Sequence, residues 1–211
     1  MKELYPESVL KKYNKIVLKF SNRFVWKCPT EEQLAFYNEN AGAGDHLDVG
    51  VGTGYFLDRC SFPASPRIAL LDLEESPLKY ASSVIKRYNP AVHQGDILKP
   101  LDIKEKPFST IGLNYVLHCL PGNMKEKSVC LDHLSPYLKK GGMIFGTTLL
   151  SGGVERSLPA KLLMKLYNGK LGFFHNTEDD LETLEGELEK RFTDVKVRPV
   201  GCGVLFQGRK K

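Results

Sequence analysis

A chain of 211 residues with 42% hydrophobic and 26% charged residues fits one ordinary globular core, which stops growing only near ~250–300 residues, and excludes disorder and fibrous repeats. Its formal net charge of +5 is too mild, and too concentrated in Arg209-Lys210-Lys211, to point to nucleic acid. No apolar run approaches the ~18–20 residues of a membrane-spanning helix, so neither a membrane nor a nucleic acid is the expected partner. The five cysteines (Cys28, Cys60, Cys119, Cys130, Cys202) are scattered, odd in number and never in a Cys-x-x-Cys pair. They read as reduced thiols of a cytoplasmic protein without a metal site, and Met1–Pro6 lacks the apolar stretch of a secretory signal.

The chain opens on a helical lead-in, with Val9, Tyr13, Val17 and Phe20 at helical spacing among lysines. A second helix is expected after Thr30 as N-cap, with Glu31 and Glu32 in its first turn. From residue 46 strands alternate with helices. His46–Val49 is a short apolar strand running into glycines, and Arg67–Leu73 is a second strand, buried on both faces. Ser76-Pro77 opens a helix, with Ser as cap. Ala91–Gly95 and Phe108–Leu113 follow as strands. A helix over 125–139 carries Val129, His133, Leu134 and Leu138 on one face. A strand over Met143–Leu150 is entered from Gly141-Gly142. Thr177 with Asp180 resembles a capping box starting a helix with Leu181, Leu184 and Leu188, and Thr193–Arg198 and Val204–Gln207 close the chain as strands. The pattern predicts a parallel α/β sheet covered by helices on both faces in a single domain. Residues 1–45 form a helical lead-in or lid, 46–150 the core, and 151–211 substrate-covering helices and a strand pair.

One spacing organises the chemistry. Asp48 to Asp72 is 24 residues, Asp72 to Asp96 is 24, and Asp96 to Asn114 is 18, each about one strand, one helix and two loops. These four polar residues therefore close successive strands at one sheet edge, where open α/β sheets bind ligands. The first strand end, Asp48-Val49-Gly50-Val51-Gly52-Thr53-Gly54-Tyr55-Phe56, has alternate glycines that let a ligand lie against the backbone. It departs from the dinucleotide fingerprint, because its third glycine stands at position five and Tyr55 at position six. Asp48, two places before the first glycine, disfavours a phosphate and favours a cation or amino group. Asp72 is placed for ribose hydroxyls and Asp96 for an exocyclic amine. A phosphate-free nucleoside with a positive end satisfies all of these, as S-adenosylmethionine does.

These residues resemble the class I S-adenosylmethionine-dependent methyltransferases, small-molecule branch. Leu47–Gly54 looks like their first motif, Leu70-Leu71-Asp72-Leu73 the second, and Gly95-Asp96-Ile97 the adenine segment. Asn114–Pro121 is similar to the segment after strand four, and Leu138–Ile144 to the turn before strand five, with Lys140 where proline is common. The resemblance implies a Rossmann-like, mostly parallel seven-stranded sheet whose last strand is antiparallel. It implies that Asp48 and the Gly50–Gly54 backbone hold the methionine part, Asp72 the ribose, and Asp96 with the Ile97 amide the adenine, with Asn114 beneath the methyl donor. Thr53, Tyr55, Phe56, Leu73 and Tyr115 adjoin these and are counted with them as cofactor-binding. Enzymes that methylate exocyclic amines of bases carry an Asn/Asp-Pro-Pro-aromatic tetrad, and Asn114-Tyr115-Val116-Leu117 does not match it.

The implied activity is in-line methyl transfer to a small molecule, by a monomer or homodimer. The alternatives are a methyltransferase-like fold using the donor for another reaction, a non-catalytic donor-binding module, or a nicotinamide dehydrogenase. His118 and His175 are the candidate bases and acceptor contacts, whereas His46 and His93 read as core or edge residues and His133 as packing. The aromatic stretch Phe20–Pro29 either packs the lead-in onto the sheet or forms a lid. As a lid it would line an acceptor pocket with Tyr13 and Trp26 and bring Arg23 to the donor's carboxylate. Cys28 and Cys119 are expected to be inert thiols.

Overall fold

The computed structural model describes residues 14–42 and 44–211, with side chains from residue 18 onward; Tyr13 and the start of the lead-in lie outside the described residues. Seven strands form one sheet: β1 (Asp45–Val49), β2 (Arg67–Asp72), β3 (Ala91–Gln94), β4 (Phe108–Asn114), β5 (Leu138–Leu149), β6 (Phe192–Val200) and β7 (Gly203–Lys210). Their spatial order is β3-β2-β1-β4-β5-β7-β6. β1 pairs in parallel with β2 and β4, β2 with β3, and β4 with β5, while β7 runs antiparallel to both β5 and β6. The strand order reverses at β1 and β4, so a crevice opens between their carboxyl ends. This is the expected Rossmann-like sheet.

Among the described residues, eight helices surround it, besides three single-turn segments: α1 (Asn14–Val25), α2 (Thr30–Ala41), α3 (Tyr55–Arg59), α4 (Glu75–Val84), α5 (Met124–Lys127), α6 (Val129–Leu134), α7 (Leu158–Asn168) and α8 (Leu181–Arg191). Alternate residues of the buried strands supply the two cores, as a period of two requires. Ala69 and Leu71 of β2 belong to the cluster on one side of the sheet, which runs on through Leu131 and Leu134 of α6 to Leu184 and Leu188 of α8. Ile68 and Leu70 face Phe36, Tyr37, Leu57 and Leu78 on the other side. A third cluster joins Trp26, Ala160, Met164 and Phe174 between the end of α1 and α7. Truncating a fully buried leucine such as Leu70 costs ~2–5 kcal/mol, which fixes the strand ends rigidly. No described helix is long and apolar enough to cross a membrane.

Several boundaries differ from the sequence expectation. α1 is a wide π-type helix whose Trp26 N–H reaches back five residues to the Ser21 carbonyl, at 2.8 Å. Thr30 is not an N-cap but the first residue of α2, and its hydroxyl donates to the Leu18 carbonyl instead. α4 starts at Glu75, ahead of Ser76. The single helix expected over 125–139 is broken into α5, α6 and a turn at Ser135–Tyr137 with a proline at its start, and Leu138 already belongs to β5. β5 thus runs through Gly141-Gly142 rather than starting after it. Asp180, not Thr177, caps α8, accepting from the Thr183 N–H at 2.8 Å. α7 goes unread in the sequence, and Ser157 caps it by accepting from the Ala160 N–H at 3.2 Å.

Candidate active site

β1 delivers the chain into the glycine turn, where Gly50, Gly52 and Gly54 have φ of 67°, 50° and 67°, values that L side chains adopt only at a cost. Gly50 is fixed twice over, since a Cβ there would lie 2.4 Å from Val116 Cγ2. Its N–H donates to the Leu71 carbonyl at 2.8 Å, continuing the β1–β2 ladder beyond Val49. Backbone therefore forms one wall of the cleft, and Gly50, Gly52, Thr53, Tyr55 and Phe56 line it. Gly54 does not. It precedes α3 and packs against Ala81 of α4.

Asp48 lines the same cleft and is nearly buried, on top of a chain of polar groups under the sheet edge. Thr110 Oγ1 lies 2.9 Å from His46 Nδ1, His46 Nε2 lies 2.9 Å from the Tyr37 hydroxyl, and that hydroxyl donates to Asp48 Oδ1 at 3.1 Å. Because the Tyr37 proton goes to Asp48, its oxygen accepts from His46 Nε2–H, and His46 Nδ1 accepts from Thr110. Burial and the Asp48 charge push Tyr37 ionisation far above the ordinary phenol range, so it stays a donor. His46 is a satisfied core residue, as its sequence position suggested.

Asp72 and Leu73 end β2 in the cleft, joined by Glu74, which the sequence reading missed although it stands two residues further on. Asp72 Oδ1 accepts the Glu74 N–H at 3.0 Å. Burial raises the Asp72 carboxyl from 3.8 to about 6, against the backbone N–H groups that lower it. No cation pairs with it among the described residues. Asp96 and Ile97 follow β3. Asp96 Oδ1 accepts the Leu98 N–H at 3.0 Å, and the ring of His133 in α6 lies 2.9 Å from the Ile97 carbonyl, so His133 pins this turn rather than merely packing.

At the end of β4, Asn114 Oδ1 accepts from the Thr147 hydroxyl at 3.3 Å, while its buried Nδ2 has no partner. Tyr115 follows in a left-handed conformation, φ 59°. Its hydroxyl accepts from Gln33 Nε2 at 2.8 Å and donates to Asn22 Oδ1 at 2.9 Å. Asn22 in turn donates to Thr30 Oγ1 at 2.8 Å, and Thr30 to the Leu18 carbonyl. This clasp holds α1 over the crevice, where Leu18 enters the lining together with Val116, Cys119 and Leu120.

The histidine expectations fare differently. The left-handed turn at Tyr115 and the short helical turn Leu117–Cys119 swing His118 into the core and leave Cys119 facing the cleft. His118 is 3% exposed, stacks edge-on against Phe174 with centroids 4.6 Å apart, and accepts the Leu149 N–H on Nδ1 at 3.3 Å. Burial, aided by the charge of Lys127, lowers its pKa to about 3. His118 is thus a neutral packing residue away from the cleft, a correction to its expected place at the mouth. His175 is exposed on the loop after α7, where its backbone N–H donates to the His118 carbonyl at 2.8 Å. It does not face the cleft either.

Trp26 is buried against Tyr167 and Phe174, at 6.4 and 6.0 Å, which is packing rather than pocket lining. The Arg23 side chain is 63% exposed and, among the described residues, pairs with Glu31, at 3.8 Å. Cys28 is buried and its thiol is pushed up to about 12 by desolvation.

The cleft therefore carries four carboxylates, a bare backbone wall and an unpartnered amide donor, and among the described residues no lysine or arginine lines it. Such a lining repels phosphate groups and suits a cationic nucleoside with free hydroxyls, which separates it from dinucleotide sites.

A methyltransferase domain family matches residues 47–146. Demethylluteothin O-methyltransferase from Streptomyces thioluteus is 36% identical over 94% of this chain and 86% of its own length. N-methyltransferase vrtF from Penicillium aethiopicum is 34% identical over 86% and 76%. The crystal structure of N-methyltransferase NodS from Bradyrhizobium japonicum, in complex with S-adenosyl-L-homocysteine, shares the fold with a TM-score of 0.64, 18% identity and 98% coverage of both chains. With that identity extending along nearly its whole length and across the glycine turn and strand ends just described, the chain belongs to the class I S-adenosylmethionine-dependent methyltransferases.

Proposed function

We propose that this enzyme methylates an acidic hydroxyl, an enol or phenol, on a small apolar acceptor. The bound donor supplies a methyl carbon already activated by its sulfonium. The chain's own residues hold and align. Asp48, oriented by Tyr37, accepts from the donor's ammonium, and Asn114 Nδ2 offers a hydrogen bond to its methionine part. Asp72, with Glu74 beside it, accepts from the ribose hydroxyls. The Asp96–Ile97 turn, pinned by His133, receives the adenine. Alignment of this kind supplies ~7–11 kcal/mol of a displacement barrier.

The acceptor reading rests on one observation. Beyond the donor's strand ends the described lining is Leu18, Tyr115, Val116, Cys119 and Leu120, with the Tyr115 hydroxyl committed to Asn22 and His118 sunk out of reach. A nucleophile entering here is best ionised by its own chemistry, as a hydroxyl conjugated with a carbonyl is. The name of the Streptomyces thioluteus relative, an O-methyltransferase, supports oxygen as the nucleophile. The five cysteines, all free, support a cytoplasmic setting.

The test is release of S-adenosylhomocysteine across a panel of acidic enols and phenols, simple alcohols and amines. Turnover confined to the first group is expected, with a pH–rate profile that, at saturating donor, tracks the acceptor's own pKa. Turnover of simple alcohols or amines, or a profile fixed by a protein group whatever the acceptor, would refute it.

A further inference from the structure

Two stretches contain no acidic residue. Residues 14–27 hold Lys15, Lys19, Arg23 and Lys27, and residues 158–171 hold Lys161, Lys165 and Lys170. With these seven set aside from the formal net charge of +5, the rest of the chain is net acidic by two. Among the described residues, the same stretches hold six of the eight exposed large hydrophobic side chains: Leu158 at 76%, Leu162 at 71%, Phe20 at 59% and Phe24 at 54%, with Leu166 and Leu171. Apolar exposure and positive charge are thus concentrated together.

The helices explain the arrangement. α7 buries Ala160 and Met164 against Trp26 and turns Leu158, Leu162 and Leu166 outward, four apart and therefore in one line, flanked by exposed Lys161 and Lys165. α1 turns Leu18 to the cleft and Asn22 to the clasp, leaving Phe20 and Phe24 outward with ring centroids 5.3 Å apart, beside exposed Lys19 and Arg23. The two elements are joined, since Ser157 Oγ donates to the Val25 carbonyl at 3.0 Å.

We propose that the outward faces of α1 and α7 form a docking surface for an anionic lipid bilayer, with the leucines and phenylalanines at the acyl boundary and the cations among the headgroups. An acid-free, lysine-flanked apolar helix face has the composition of an interfacial helix. Protein interfaces are depleted of lysine, and a second copy would set like charges against each other. The anchors stand on the element that roofs the cleft, so docking brings the cleft beside the lipid phase. This surface is argued from charge and exposure alone and does not rest on the acceptor reading.

The full chain is sedimented with sucrose-loaded phosphatidylcholine vesicles, with and without phosphatidylglycerol. Binding is expected only with phosphatidylglycerol and falls with added salt. Leu158→Ser/Leu162→Ser should lower it at least ~tenfold while leaving the melting temperature unchanged, because both sites are exposed. Lys161→Ala/Lys165→Ala should flatten the salt dependence. Failure of the wild type to bind either vesicle, or equal binding by the leucine variant, overturns the proposal. So does a concentration-dependent dimer that the leucine variant abolishes, which would assign the face to a second copy.

Discussion

The strand ends and the α1–α7 layer above them treat polar groups in opposite ways. In the clasp above the cleft most hydrogen-bonding capacity is consumed internally: Gln33, Tyr115, Asn22 and Thr30 bond one another in series down to the Leu18 carbonyl, and Gln33 Oε1 alone of these side-chain groups is buried without a partner. At the strand ends capacity is left over. Asn114 Nδ2 is buried without a partner, and the Asp72 carboxyl is held in a desolvated place with no cation beside it. Both arrangements bury polar atoms, but only the second leaves a desolvated carboxyl and an unused donor lining the cleft, and that cost marks the binding half. The asymmetry predicts that substitutions at the strand ends trade binding against stability, whereas substitutions in the layer lose stability first.

The largest effect is expected at Gly50→Ala. The left-handed backbone alone costs ~1–3 kcal/mol, and the new methyl group would have to displace Val116. S-adenosylhomocysteine affinity by calorimetry should fall at least ~tenfold, the equivalent of ~1.4 kcal/mol. Next comes Asp72→Asn. Loss of a charged acceptor costs ~1.5–3 kcal/mol per hydrogen bond, or ~10–100-fold in affinity.

The same variant should be the more stable apo protein above pH 6. The Asp72 carboxyl is raised from 3.8 to about 6, so the folded chain holds this proton more tightly than the unfolded one. The stability this contributes is present at low pH and is lost as pH rises through about 6. Asparagine keeps the neutral form, so its melting temperature should exceed that of the wild type above pH 6. Wild-type affinity should weaken as pH falls through 6, and this dependence should vanish in the variant. A variant that loses both binding and stability would break the contrast.

Tyr115→Phe should sharpen it from the other side. Two buried partners, Gln33 and Asn22, lose their bonds at a cost of ~1–3 kcal/mol, read as a lowered melting temperature. The smallest effect is expected at Arg23→Ala. Its pair with Glu31 is exposed on both sides, and such pairs contribute ~0–1 kcal/mol, so melting temperature and cofactor affinity should stay within error.

The regular part of this molecule is legible in its sequence because the strand–helix repeat is also the spacing of Asp48, Asp72, Asp96 and Asn114. Each residue ends or closely follows its strand, and the cleft collects all four. What the sequence hides is local backbone geometry. Counting four residues from Asn114 places His118 near the mouth, but a left-handed residue at Tyr115 reverses the side-chain direction and exchanges His118 for Cys119. Gly141-Gly142 reads as a break, yet β5 pairs across it through an irregularity opposite Phe108 and Thr110. Leu18 could not be placed from composition, because its approach to the cleft depends on a clasp whose members lie as far apart in sequence as Asn22 and Tyr115.

The position of β7 between β5 and β6 ties the cover of the cleft to the far edge of the sheet. β6 precedes β7 in the chain but pairs with the sheet only through it, so β6 holds its place as the outer arm of the β6–β7 hairpin. The hairpin turn is also an anchor: the Cys202 N–H donates to the Trp26 carbonyl at 3.0 Å, and its own carbonyl accepts the Leu150 N–H at 3.0 Å. The end of α1 is therefore fastened to the turn of that hairpin, so the cover of the cleft is tied to the antiparallel edge of the sheet.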